Sequence, residues 1–194
     1  GWVVLRHDVN RFASTSSIRS IVQADYNADP ANVKSVFCFG HVPVPYSGQL
    51  NPDGHGDHNG AWPADGYYGE MNGSWTDNSV NTTSAQSNRN HNVPGDGKTD
   101  QSTYPGDVEL QVGRVDLFNM ESFQYYVGLN EQTLLSNYLT KLHNFKIKQF
   151  TPQFRGAVFD NFEDVSNPLA ASGYRSVSAN VGHANMSDLN GNGA

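Results

Sequence analysis

Residues 35–68 read SVFCFGHVPVPYSGQLNPDGHGDHNGAWPADGYY. The first five, Ser-Val-Phe-Cys-Phe, are a short continuous apolar run of the kind that forms a strand covered on both faces of a sheet. The remainder holds His41, His55 and His58, Asp53, Asp57 and Asp65, and a series of prolines and glycines. No ordinary secondary structure is expected from that much Pro, Gly, Asp and Asn. A loop of this length in a compact domain is functional, internally braced or disordered. The aromatics Tyr46, Trp62, Tyr67 and Tyr68 argue against disorder. The strand and the loop together set the expectation of a core strand opening into a functional excursion.

Working outward, the same polar character continues. Between residues 47 and 107, 25 of 61 residues are Asp, Asn or Gly, and the basic residues there are Arg89 and Lys98. The flanking segments have core-forming patterns instead. Residues 2–5 (WVVL) fit a buried strand. Ser14 to Ser17 offer helix N-caps, Ile18, Val22 and Tyr26 follow at i, i+4, i+8, and Asp29-Pro30 closes the helix. With residues 35–39 this predicts a right-handed βαβ unit. After the insertion, Val108, Leu110 and Val112 alternate with Glu109 and Gln111, predicting a strand that ends at Gly113-Arg114. Asn130 is placed to cap a helix carrying Leu134, Leu135, Tyr138, Leu139 and Leu142, with Lys141, His143, Lys146 and Lys148 at and beyond its last turn, where cations suit the helix dipole. Residues 155–159 (RGAVF) predict a further strand running into Asp160-Asn161.

Alternating strands and helices predict an α/β fold: a parallel sheet of about four strands flanked by helices, with residues 47–107 as a long Gly/Asp/Asn-rich insertion. A single domain or half-domain is expected over 1–194. Chain ends lying so close to predicted elements point to a piece of a larger protein. In parallel sheets ligands collect beyond the carboxyl ends of the strands. Those ends carry His7 and Asp8, Gly40 and His41, Arg114 and Asp116, and Asp160 and Asn161. The insertion leaves from the same edge. Its Asn-rich part, residues 81–92, is expected to be mobile.

Charge and cysteine usage exclude some classes. A net charge of −7 does not suit nucleic acid, whose phosphates require clustered Lys and Arg. There is no apolar run long enough to span a membrane. The single cysteine, Cys38, excludes an internal disulfide and a multi-cysteine zinc site, and its setting is that of a small buried hydrophobe.

The acidic loops point to hard cations, because carboxylates and carbonyls are calcium ligands. Asp53, Asp57, Asp65, Asp96 and Asp100 are the carboxylate candidates. Residues 92–100 (NVPGDGKTD) look like part of a calcium loop, although Tyr104 and Pro105 stand where an EF-hand would close on Glu. The competing arrangement is zinc on His55 and His58 with His41 or a carboxylate. A third is a braced loop with hydrogen-bonded histidines and no metal. His41, Tyr46, Trp62, Tyr67 and Tyr68 are the candidate binding residues.

The order of these phrases resembles the gingipain-type cysteine peptidases, of the same clan as caspases. The resemblance rests on the loop FGHVPVP at 39–45, on DGYYG at 65–69, and on VELQVGRV at 108–115 followed by an amphipathic helix and another strand. More closely, residues 5–162 resemble domains of large secreted bacterial proteins. The resemblance implies a caspase-like fold, structural calcium, and a secreted or cell-surface location. In the family the catalytic His and Cys lie on later strands. His183 is a faint echo of that His and no Cys follows residue 160, so neither role carries over. The expectation is a calcium-braced domain without activity of its own, partnered by the remainder of a parent protein. The alternatives are a surface module for glycan or peptide, and a hydrolase whose metal is held by histidines.

Overall fold

The computed structural model describes residues 1–120, 128–153 and 155–158, together with 177, 179–180, 182 and 186–188. The chain divides into two compact units, Gly1–Leu135 and Ser136–Ala194. The expectations for Phe159, Asp160, Asn161 and His183 fall outside the described residues.

In the first unit, α1 (Thr15–Ala28) is followed by β1 (Ser35–Phe39), β2 (Tyr46–Leu50), β3 (Gly60–Pro63) and β4 (Gln111–Val115). Helix α1 begins where its cap predicts: the Ser14 side chain accepts from the Ser17 N–H, and Asp29 closes the other end. β1 and β4 pair in parallel, Ser35 against Gln111 through Phe39 against Val115. The long insertion is thus the crossover of a two-stranded parallel sheet. Ile18 of α1, Cys38 of β1, Tyr67 and Tyr68 form the buried cluster, with Val9, Ala13, Val36, Val42 and Trp75 packed around it. Helix α2 (Glu131–Lys146) is capped by Asn130, whose side-chain oxygen accepts from the Thr133 N–H at 2.9 Å. In the second unit β5 (Gly156–Val158) and β6 (Met186–Asp188) pair in parallel. The fold is mixed α/β, with the small parallel pairings β1–β4 and β5–β6 and the helices α1 and α2 among the described residues. No described helix is long and apolar enough to cross a membrane.

Four local expectations are corrected. Residues 2–5 form no strand, and Trp2, Val3 and Val4 are each more than three-quarters exposed. Apolar β-branched composition reports fit to a pleated surface, and among the described residues no ladder partner meets this segment. The predicted βαβ unit therefore lacks its first strand. β1 is covered on one face: Cys38 is buried while Phe37 and Phe39 are exposed. β4 starts three residues later than the alternation predicts, because residues 108–110 are held by the insertion. The Leu110 N–H donates to the Gly69 carbonyl, and the Glu109 carboxylate accepts from the Met71 N–H and the Asn72 amide.

The fourth correction concerns the insertion. It contains the antiparallel pair β2–β3, with Tyr46 opposite Pro63 and Leu50 opposite Gly60. The register shifts between Ser47 and Leu50, where Gly48 has φ +83° and lies against the Ser102 backbone. A side chain there would meet backbone atoms at 2.9–3.0 Å, so only glycine fits this irregularity. Residues 81–92, expected to be mobile, are tied down instead. Thr82 and Asn92 exchange backbone hydrogen bonds, and Asn90 and Asn92 are buried.

Candidate functional site

The insertion is braced by carboxylates that accept backbone hydrogen bonds. Asp100 receives the Thr76 hydroxyl at 2.7 Å and the N–H groups of Asn78, Ser79 and Val80. Burial opposes its charge, but the backbone donors of Asn78 and Val80, with Thr76 and Ser79, outweigh that and hold the carboxyl well below its usual range. Asp77 receives the N–H groups of Gly95 and Gly97, both at 2.7 Å, from a turn in which both glycines have positive φ. The Gly95 and Gly97 N–H groups thus hold the Asp77 carboxylate between them, while the intervening Asp96 N–H donates to the Val93 carbonyl. Asp96 receives the Val93 and Lys98 N–H groups and the Lys98 ammonium. Burial opposes its charge too, and these donors keep its pKa below the ordinary value. Ser47 and Asn92 complete the platform: the Ser47 hydroxyl donates to the Gln101 carbonyl, and the Asn92 amide donates to Gly48 and Thr99.

Asp65 serves the strands. Its two oxygens accept from Arg114 Nε at 2.7 Å and Nη2 at 2.8 Å, a bidentate pair. Arg114 also donates to the carbonyls of Val42 and Pro43, closing the start of the insertion over the end of β4. Tyr67 and Tyr68 belong to the core rather than to a surface. Tyr68 donates to the Pro43 carbonyl at 2.7 Å, and burial raises its pKa strongly. Tyr67 meets Trp75 edge-on at 5.0 Å between ring centroids. Cys38 is buried beside them, and burial raises its thiol pKa, the setting of a structural cysteine.

At the strand ends His41 faces Asp116, with Nδ1 to carboxylate 2.8 Å, and stacks on Phe118 at 4.1 Å. His7 pairs with Asp25 of α1 instead of with Asp8. His41 therefore stands apart from His55 and His58, and a three-imidazole metal set is not formed by these residues.

The remaining candidates come together at the tip of the β2–β3 connection. Asp53 opens a tight turn: its Oδ1 accepts the His55 N–H at 3.1 Å, and Gly54 takes φ +83°. A 3-10 turn over Gly56–His58 then brings positions 55 and 58 to one side. Asp53 Oδ2 lies 2.6 Å from His58 Nδ1 and 3.2 Å from His55 Nδ1. Among the described residues these three form the convergent metal-ligand group, with their donor atoms within 4.8 Å of one another. The His55 N–H, followed by the two imidazoles, depresses the Asp53 pKa, and the bond to Asp53 raises that of His58. The Asp57 carbonyl accepts from the Gln86 N–H and the His58 carbonyl from Trp62 Nε1, which anchors the turn to β3 and to the Asn-rich segment.

Beside this turn lies a cleft of about 350 Å³, lined by Tyr46, Asp57, His58, Trp62, Gln86 and Arg89 among others. That volume is at the lower end of small-ligand pockets. Asn90 supports its floor by donating to the Ala61 carbonyl at 2.6 Å.

Sequence reasoning identifies Tyr46, Trp62, Asp57 and His58 but misses Gln86, Arg89 and Asn90, which lie in a segment that composition alone marks as loop. It also misses Glu70. This fully buried carboxylate binds Arg19 of α1 at 3.2 Å and Trp75 Nε1 at 2.7 Å, and takes the N–H groups of Asn72 and Gly73. The glycines and tryptophan around Glu70 are the available signal: a lone acid among them needs partners if it is buried. Compared with protein families, with characterised proteins and with solved structures, the chain matches none of them.

Proposed function

We propose that this chain is an extracellular recognition domain of a gingipain-like, peptidase-type protein, without catalytic activity of its own, whose braced insertion offers a cleft to glycan or peptide. The observation that carries the reading is the cleft: two aromatic side chains, Tyr46 and Trp62, beside the hydrogen-bonding side chains of Asp57, Gln86 and Arg89. Aromatic faces stack on sugar rings or peptide side chains, and flanking polar groups fix orientation. The parallel β1–β4 pairing, with the insertion rising from its carboxyl edge, supports the caspase-like topology that the resemblance implies. The secreted or cell-surface location and the larger parent protein rest on that resemblance. By the same resemblance, catalysis belongs to a Cys and a His of the parent protein.

Calcium rests on the acidic composition of the insertion. Asp65, Asp96 and Asp100 support it weakly, because their oxygens are filled by N–H, ammonium and guanidinium donors. The hydrolase alternative loses ground because His41 is held by Asp116.

The test is a glycan and peptide array followed by calorimetry on any hit. The expected result is binding that falls at least tenfold in Trp62→Ala and in Arg89→Ala, with the exposed Arg89→Ala keeping a melting temperature close to that of the unsubstituted chain. Binding that survives both substitutions, or no hit at all, overturns the recognition reading. Peptide cleavage by the isolated chain overturns the non-catalytic one.

A further inference from the structure

We propose that Asp53, His55 and His58 form a site for a divalent transition metal of the zinc class, with Asp53 Oδ2 and the Nδ1 atoms of both histidines as its protein ligands. The site adjoins the cleft and shares His58 with it, while Asp53 and His55 lie outside the cleft lining.

The donor set decides the class of ion. Two of the three ligands are imidazole nitrogens, which suit zinc and its first-row neighbours, whereas calcium takes six to eight oxygens. The spacing fits as well. Ligands about 2.0–2.1 Å from a tetrahedral ion stand roughly 3.3 Å apart. His55 Nδ1 is 3.2 Å from Asp53 Oδ2, and His58 Nδ1 is 2.6 Å from it. The shorter separation is that of an N–H donating to a carboxylate, the proton occupying the lone pair that an ion would take. Metal and proton compete for the same nitrogen, so binding moves His58 outward by less than about 1 Å and releases that proton.

The local chain is built for convergence. Both imidazoles turn the same ring nitrogen toward one carboxylate oxygen, with the rings edge-on at 5.7 Å. Asp53 divides its labour: Oδ1 holds the turn through the His55 N–H, which leaves Oδ2 facing the histidines. One histidine on that oxygen would satisfy a hydrogen-bonded loop, and here two converge on it. The side chains of Asp53, His55 and His58 are 38%, 72% and 42% exposed, so water reaches the fourth coordination position.

The test uses chain freed of metal by chelator, titrated with Zn²⁺ against a chromogenic competitor and with Co²⁺ by visible absorption. One equivalent of each is expected, with the d–d intensity of a four-coordinate ion. Asp53→Ala, His55→Ala and His58→Ala should each lower zinc affinity at least tenfold, while His143→Ala on α2 leaves it unchanged. Imidazole NMR gives a measure free of variants: zinc should shift the His55 and His58 ring signals and leave those of His7, His41 and His91 in place. Absence of a stoichiometric site overturns the proposal, and so does binding that persists in His58→Ala. Zinc-induced shifts confined to other histidines, or calcium displacing zinc at equal concentration, do the same.

Discussion

Asp100 shows how one carboxylate fixes a segment that has no regular structure. It gathers three consecutive N–H groups and a hydroxyl, which would otherwise need water or one another. Asp100→Ala strands those donors, and the expected loss is about 2–3 kcal/mol by chemical denaturation. The loss should be the same in calcium and in chelator if the chain alone braces this turn. The pH dependence has a defined sign. The folded pKa lies below the ordinary 3.8, so the stabilisation is complete above that value and declines as pH falls through and below it. Asp100→Asn should flatten the acid limb of stability against pH below about pH 4. An unchanged limb would mean that other carboxylates carry it. Arg114 makes the complementary case for a cation. Its flat guanidinium holds both Asp65 oxygens and two carbonyls at once, a geometry that lysine cannot reproduce. Arg114→Lys should cost about 1.5–3 kcal/mol in the same measurement, although the charge is kept.

At the scale of elements, the crossing of the insertion with β4 sets tight tolerances. A Cβ on Gly69 would lie 2.5 Å from the Leu110 carbonyl oxygen and 2.6 Å from Val112 Cγ2. Backbone would have to move, so Gly69→Ala should destabilise by about 1–3 kcal/mol, checked by urea unfolding. Ser14→Ala, which removes one cap bond at an exposed helix start, should cost about 1 kcal/mol. The contrast explains what can be read from sequence. Helix α1 is legible at both ends because Ser14, the Ile18-Val22-Tyr26 stripe and Asp29-Pro30 are local signals acting on their own neighbours. Asn130 announces α2 in the same way. β1 is legible from its apolar run, but not the exposure of Phe37 and Phe39, which depends on what packs above them. The β4 boundary moves because Glu109 and Leu110 answer to Met71 and Gly69, far back in the insertion. Of the candidate site, Asp53, His55 and His58 can be read because they lie close together in the chain. Gln86 and Arg89 cannot, since only the fold carries them to Trp62.

For the first unit as a whole, the polar insertion is half of the core and not an appendage to it. Tyr67, Tyr68 and Trp75 supply most of the aromatic bulk against Ile18 and Cys38. Helix α1 grips the insertion by its backbone: Arg19 donates to the carbonyls of Tyr67 and Glu70, and Gln23 to that of Met71. The Arg19–Glu70 pair that fixes this grip is almost wholly dry, with Glu70 at 0% and the Arg19 side chain at 12% exposure. Removing one member of such a pair leaves an uncompensated buried charge, at a cost of about 3–5 kcal/mol. Protease susceptibility should therefore report on the pair. In the unsubstituted chain, trypsin should cut faster after Arg6, in an exposed segment without regular structure, than after Arg89 and Lys98 inside the braced insertion. In Glu70→Ala the order should change, because Arg19, Trp75 and the turn at Gly73 lose their common acceptor together. Cleavage after Arg89 and Lys98 should then approach the rate after Arg6, while α1 retains its helical signal by circular dichroism. If those two bonds stay resistant in Glu70→Ala, the Asp77, Asp96 and Asp100 turns hold the insertion without help from α1, and the two halves of the core are less coupled than the Arg19–Glu70 geometry requires.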